Sequence, residues 1–230
     1  MVAMRKFKAV IFDLDDTLYP EMDYVISGFK VVSKYVSKKI NKESEQVFNK
    51  LLKLFEEDRK NVFNRLLEHY DIDQELVKEC IDLYRNHFPG IKLNKEIGGL
   101  LQVLKENRFK IGIITDGRPE GQWKKIKALG LEKYCDYIIV TDELGGIEYR
   151  KPCEIPYKKM LQELGIQAQE TIYVGDNPAK DFITANKLGM FTIMFKNNKG
   201  LYSNINVSNE YLAKTTVNEI IEIKELLKSA

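Results

Sequence analysis

Four short runs constrain this chain more than anything else in it: "AVIFD" (9–13), "GIITD" (112–116), "YIIVTD" (137–142) and "YVGD" (173–176). Each is an apolar stretch rich in Ile and Val, and each closes on an aspartate. The apolar residues do not alternate with polar ones, the pattern of strands covered on both faces in a parallel sheet. "FTIMF" (191–195) reads as a fifth strand. Helical segments at about 97–107, 119–130, 154–165 and 178–188 lie between most of these runs. Strand and helix in alternation predict an α/β fold with a doubly wound, Rossmann-like parallel sheet. Ligands of such sheets bind beyond the carboxyl ends of the strands, which is where the aspartates fall.

Residues 21–89 break the alternation. Val25, Phe29, Val32, Val36 and Ile40 recur at helical spacing, as do Phe48, Leu51, Leu52 and Phe55. Val62, Phe63, Leu66, Leu67 and Tyr70 follow, then Val77, Cys80, Ile81, Tyr84 and Phe88. Pro20 and Pro89-Gly90 mark the borders. The expectation is an all-helical insert of about four helices, 21–89, in a core domain of 1–20 and 90–230. A helical layer packed permanently on the core is the other reading. Near the end, Thr216-Val217-Asn218-Glu219 reads as a capping box opening a last helix, and 196–214 reads mostly as loop.

With 230 residues, 36 Lys plus Arg and 34 Asp plus Glu, the chain is close to neutral at +2. The basic residues form no block, so neither a nucleic-acid nor a membrane partner is expected. "MVAMRKFKAV" lacks the apolar core of a secretory signal, and no run approaches the roughly 18 apolar residues of a membrane span. Cys80, Cys135 and Cys153 stand far apart without metal spacing. A cytoplasmic chain with reduced thiols is expected.

Carboxylates at the end of a buried strand repel one another unless a positive charge sits among them. An aspartate after a strand can simply cap the next helix. Several of them at one edge, with Thr17, Thr115 and Lys151 in the loops beside them, point instead to Mg²⁺, a hard cation that takes one or two carboxylates, waters and a substrate phosphate. Within "DLDDT" (13–17), residues two apart share a face of an extended chain, so Asp13 and Asp15 are expected to face one site while Leu14 points away. Two such carboxylates can divide the labour, one ionised as nucleophile or metal ligand and the other carrying a proton.

"DLDDT" (13–17), Thr115 in "IITDG", Lys151 in "RKP" and "GDNPAKD" (175–181) stand in the order of the four motifs of the haloacid dehalogenase superfamily, which the chain resembles over residues 7–19 and about 95–195. The helical insert resembles that family's C1 cap. The resemblance implies a phosphatase that hydrolyses a small phosphomonoester, such as a sugar phosphate or nucleoside monophosphate, through an aspartyl-phosphate. It implies that Asp13 is the nucleophile and a Mg²⁺ ligand. Asp15 would be general acid and base, its carbonyl also binding the metal. Thr115 and Lys151 would serve catalysis and, with Asp116 and Gly117, the substrate phosphate. Asp176 would hold the metal with Asp181 in support.

One position departs from the pattern: many relatives carry Asn after the second-motif Thr, where this chain has Asp116. An extra negative charge there requires Asp116 to turn away, to pair with Arg118, or to act as a turn residue before Pro119. Asp16 and Asp142 read as structural. Dehalogenases of the family generally lack the second acid of the first motif, which is present here. A phosphomutase stays open as an alternative, as does a phosphoaspartate receiver-like switch. The cap would supply specificity, with Tyr19, Tyr24, Arg59, Arg65, His69, Arg85 and His87 as candidates.

Overall fold

The computed structural model describes residues 7–196 and 205–229; residues 1–6, and 197–204 of the expected loop, lie outside that range. The chain divides into two compact units, Met1–Glu21 with Lys92–Ala230, and Met22–Ile91.

The first unit is built on six parallel strands: β1 (Ala9–Phe12), β2 (Lys110–Thr115), β3 (Tyr137–Val140), β4 (Thr171–Gly175), β5 (Phe191–Phe195) and β6 (Thr215–Val217), in the order β3-β2-β1-β4-β5-β6. β1 and β4 are buried along their whole length, which is why they read as unbroken apolar runs. The connections leave β1 toward β2 and β3 on one side and return to β4 on the other. The strand order therefore reverses at β1, where a doubly wound sheet opens its crevice. Phe12 pairs with Ile113 and Val174, so the carboxyl ends that carry Asp13, Asp116 and Asp176 share one edge of the sheet, β2 running two residues and β4 one residue past the end of β1.

The second unit holds α1 (Glu21–Ile40, opening at the border), α2 (Ser44–Glu57), α3 (Val62–His69) and α4 (Val77–Asn86). Their apolar stripes meet in one cluster that includes Val25, Phe29, Val32, Leu51, Leu66, Leu67 and Cys80. Phe88 continues the sequence pattern but lies past the end of α4 and is 66% exposed.

Around the sheet lie α5 (Lys95–Glu106), α6 (Pro119–Leu129), α7 (Glu154–Leu164), α8 (Phe182–Leu188) and α9 (Ile220–Ser229). α7 packs close on β2 because residue 112 is glycine: a Cβ there would stand 2.6 Å from Met160 Sδ. α8 starts four residues later than the pattern predicts. "NPAK" is a turn, in which the Asn177 side chain accepts from the Ala179 N–H and its carbonyl from those of Lys180 and Asp181.

Thr216 does not open the last helix. It lies in β6, opposite Met194, because the open edge of β5 takes up its backbone groups. The first turn of α9 is capped by Glu222, whose Oε1 accepts from the Asn218 and Glu219 N–H groups at 2.8 Å each. Among the described residues no helix is long and apolar enough to cross a membrane.

Candidate active site

β1 ends at Phe12, and Asp13 extends its pairing by one bond, donating from its N–H to the Val174 carbonyl at 2.9 Å. The chain then turns. The Leu14 carbonyl accepts from the N–H of Leu18, and Asp16 takes a left-handed φ of 55°. Asp13 and Asp15 do face one cavity, with Leu14 buried behind them, but this turn rather than strand geometry sets their directions. The cavity measures about 460 Å³, and Asp176, Lys151, Asp116 and Lys180 also line it.

Lys151 is wholly buried and braced by acids. Its ammonium stands 2.5 Å from Asp13 Oδ1 and 2.8 Å from Asp181 Oδ1, and it donates to the Tyr173 hydroxyl at 3.3 Å. Burial alone would lower its pKa, but Asp13 and Asp181 outweigh that and hold it well above the ordinary value. Asp181 also accepts from the Asn177 N–H at 2.9 Å. Ligand oxygens of Asp13, Asp176 and Asp181 lie within 4.8 Å of one another.

One lysine among three buried carboxylates leaves charge uncompensated. Burial, then the charges of Asp13, Asp181 and Asp16, push Asp176 up to about 9. Burial likewise pushes Asp13 up to about 6, although Lys151 and Lys180 oppose it. Asp176 Oδ1 is met by the Thr17 hydroxyl at 3.4 Å, while its Oδ2 is buried with no hydrogen-bond partner among the described residues. A buried carboxylate oxygen without a donor calls for one. An all-oxygen set with excess negative charge fits a hard divalent cation such as Mg²⁺.

The Asp15 carboxylate stands apart from this cluster. Its Oδ1 accepts from Lys125 Nζ at 2.7 Å and from the Tyr19 hydroxyl, and its Oδ2 accepts from Gln122 Nε2 at 3.0 Å. Burial would raise its pKa, but the charge of Lys125 and the hydrogen bonds from Lys125, Tyr19 and Gln122 outweigh that and hold it below the ordinary carboxylate value. The side chain, expected as general acid and base rather than as a metal ligand, is thus engaged away from the acid cluster by these three donors. Thr115, at the end of β2, is fully buried and accepts from Gln122.

Asp116 does not pair with Arg118. Its Oδ1 accepts from the Thr141 hydroxyl and the Lys151 N–H, both at 3.0 Å, and its Oδ2 from Lys180 Nζ at 3.1 Å. Burial would raise it, but Lys151 and Lys180 lower it. A carboxylate so engaged braces the loops and brings no donor of its own to a phosphate. Gly117 sits at φ 136°, a conformation suited to glycine, with Gln122 against the place a Cβ would take. Asp142 pairs with Arg150 through two bonds of 2.7 Å, and Asp16 accepts from the Glu21 N–H, so both are structural.

Within the helical unit, Arg65 donates to the carbonyls of Leu54 and Asp58, and Arg59 lies over the Phe55 ring. His69 packs on Tyr70, and His87 lies against Tyr24 and Tyr84. Arg85 is exposed. Tyr19, expected to face the cleft from the cap, belongs to the sheet unit and serves Asp15. Gln122, Lys125, Lys180 and Tyr173 escaped sequence reasoning. For the first two a signal existed: the buried face of α6 is Gln122, Lys125, Ile126 and Leu129, an apolar-stripe spacing with polar residues in two of its places.

The chain matches the model of a family described as haloacid dehalogenase-like hydrolase over residues 10–195. A glyceraldehyde 3-phosphate phosphatase of Methanocaldococcus jannaschii is 30% identical over 231 residues, covering 96% of this chain and 97% of its own. The pyrophosphatase PpaX of Halalkalibacterium halodurans is 30% identical over 194 residues, 81% of this chain and 82% of its own. Among solved structures, a HAD phosphatase from Thermococcus onnurineus shares the fold with a TM-score of 0.62 at 22% identity, over 97% of this chain and 99% of its own. A match of this extent sets aside the receiver-like alternative: the chain belongs to the haloacid dehalogenase-like hydrolases and is an enzyme of their phosphatase type, hydrolysing phosphate esters.

Proposed function

We propose that this enzyme is a Mg²⁺-dependent phosphatase of a small phosphomonoester and works through an aspartyl-phosphate on Asp13. The observation that carries this reading is the buried set of Asp13, Asp176 and Asp181 around Lys151, with Asp176 Oδ2 lacking a donor among the described residues. Asp13 and Asp176 would hold Mg²⁺, with Asp181 in support, and the ion would neutralise charge on the phosphoryl oxygens.

Asp13 attacks phosphorus, forming one P–O bond as the ester P–O bond breaks. The departing alkoxide takes a proton from Asp15. Free of substrate, Asp15 favours its ionised form, but an incoming phosphate brings negative charge beside it and favours the protonated one. Water then attacks the aspartyl-phosphate, gives its proton to Asp15, and releases phosphate and Asp13. Lys151 offsets the charge of Asp13 and the phosphoryl group throughout, and the Thr115 hydroxyl donates to a phosphoryl oxygen. Asp116 keeps Lys151 and Lys180 in place through its backbone and ammonium contacts.

Relatives named for glyceraldehyde 3-phosphate match nearly the whole chain, so a triose phosphate stands first among candidate substrates, with other sugar phosphates, nucleoside monophosphates and pyrophosphate behind it. Phosphate release from such a panel, with Mg²⁺ and with EDTA, tests the reading. Turnover that needs Mg²⁺ is expected, and full activity in EDTA would overturn the metal assignment.

A further inference from the structure

α6 turns four residues inward. Ile126 and Leu129 fill the core as such positions normally do. Gln122 and Lys125, 4% and 6% exposed, are residue types that a core does not hold without partners. They lie three apart on one helix face, and both reach Asp15. Gln122 also reaches Thr115.

We propose that Gln122 and Lys125 are a positioning pair that locks the Asp15 carboxylate and the Thr115 hydroxyl in the orientation phosphoryl transfer needs; this rests on the phosphatase reading above. A carboxylate held at one oxygen can still rotate about its Cβ–Cγ bond. Here Lys125 and Tyr19 engage Oδ1 and Gln122 engages Oδ2, from both ends, so rotation would break bonds at each. With Oδ1 taken by two donors, Oδ2 is the oxygen placed to carry the proton. Gln122 uses one amide N–H on Oδ2 and directs its Nε2 to Thr115 as well. An amide nitrogen donates and does not accept, so Thr115 must be the acceptor in that bond. Its own hydrogen is thereby turned away from Gln122 and can donate to a phosphoryl oxygen. Gly117 lies beside Gln122 at a φ of 136° that favours glycine, where a Cβ would make ordinary contact with Gln122 Cδ and Cγ at 3.4 Å.

The test compares glycerol 3-phosphate, whose alkoxide must be protonated as it leaves, with p-nitrophenyl phosphate, whose leaving group is stable as an anion. Lys125→Met and Gln122→Met should lower kcat on the alkyl ester by about 10–100-fold. Lys125→Met should leave KM within about threefold and should slow the phosphorylation step with p-nitrophenyl phosphate, read as the burst of nitrophenolate, far less than that with the alkyl ester. In an Asp15→Asn background Lys125→Met should add less than about twofold, because a residue that acts through Asp15 has nothing left to act on. Lys125→Arg keeps a donor and should retain most activity, which supplies the readout if the methionine variant fails to fold. Equal loss in the phosphorylation step on both substrates, or full additivity with Asp15→Asn, would overturn the proposal. If Asp15→Asn is impaired while both methionine variants match the wild type, positioning fails and the phosphatase reading stands. If the wild type turns over neither ester with Mg²⁺, that reading fails and the proposal with it.

Discussion

On the proposed Mg²⁺ assignment, cation binding and proton release in the acid cluster are one equilibrium. Asp176 is pushed up to about 9 and Asp13 to about 6, against an ordinary value of 3.8. At pH 7–8 the metal-free native chain therefore keeps a proton on Asp176 that the unfolded chain has lost. The native state binds more protons, so these groups cost stability as pH rises from about 4 to about 9. Mg²⁺ needs the ionised carboxylate and displaces that proton. Binding should thus release about one proton per ion and tighten by up to about tenfold, or 1.4 kcal/mol, per pH unit. For a chain of this length about 1 kcal/mol moves Tm by about 2–4 °C, so the Tm gain from excess Mg²⁺ over EDTA should grow by up to about 3–5 °C per pH unit between pH 6.5 and 8.5. Thermal melts across that range measure the gain, and titration calorimetry in two buffers of different ionisation enthalpy counts the protons. Asp176→Asn should remove most of both signals. A Mg²⁺ gain that is flat or shrinks with rising pH, with no proton released, would refute the reasoning.

Asp13→Asn should reduce turnover to background on every ester, whereas Asp15→Asn should slow it by about 10²–10⁴-fold and trap phosphate on Asp13. Mass spectrometry of acid-quenched peptide 7–21 checks this, and an adduct on Asp15 or Asp16 would contradict it. Lys151→Met leaves Asp13 and Asp181 buried without their shared cation and should cost about 3–5 kcal/mol at pH 8. The loss should be smaller at pH 5.5, where Asp13 takes up a proton, as urea unfolding at the two pH values would show. Gly112→Ala presses a methyl toward Met160 and should cost about 1–3 kcal/mol by urea midpoint, with kcat near wild type.

The sheet was legible because its inner strands are buried on both faces, which demands unbroken Ile and Val. β6 was not. It is Thr-Thr-Val, three residues pairing with an edge, and its composition favours a helix cap as strongly as a strand. The late start of α8 has a similar cause: Asn177 and Pro178 suit a turn as well as a helix entry, and the turn wins because it delivers the Asn177 N–H to Asp181. The acids were legible because strand ends in a parallel sheet converge, so position along the chain alone predicts their meeting. Asp116 shows the limit. Its partner by proximity in sequence was Arg118, yet that residue precedes Pro119 at the exposed start of α6. Lys180, 64 residues away, reaches Asp116 only because β2 and β4 flank the same strand.

The partners of Asp15 were hidden for a different reason. A periodicity search asks which positions are apolar and treats a polar residue in the stripe as noise. On α6 that discards Gln122 and Lys125 and leaves Ile126 and Leu129, too few to define a face. The physical question runs the other way. Once α6 is known to follow the second motif, its inward positions border the cavity, and a glutamine and a lysine there cost free energy unless something ionised accepts from them. The nearest acid left over after Lys151 has taken Asp13 and Asp181 is Asp15. Reading a core stripe for the residues that break it therefore leads from sequence to the orientation of the carboxylate proposed as general acid and base, a step that the spacing of the acids alone does not reach.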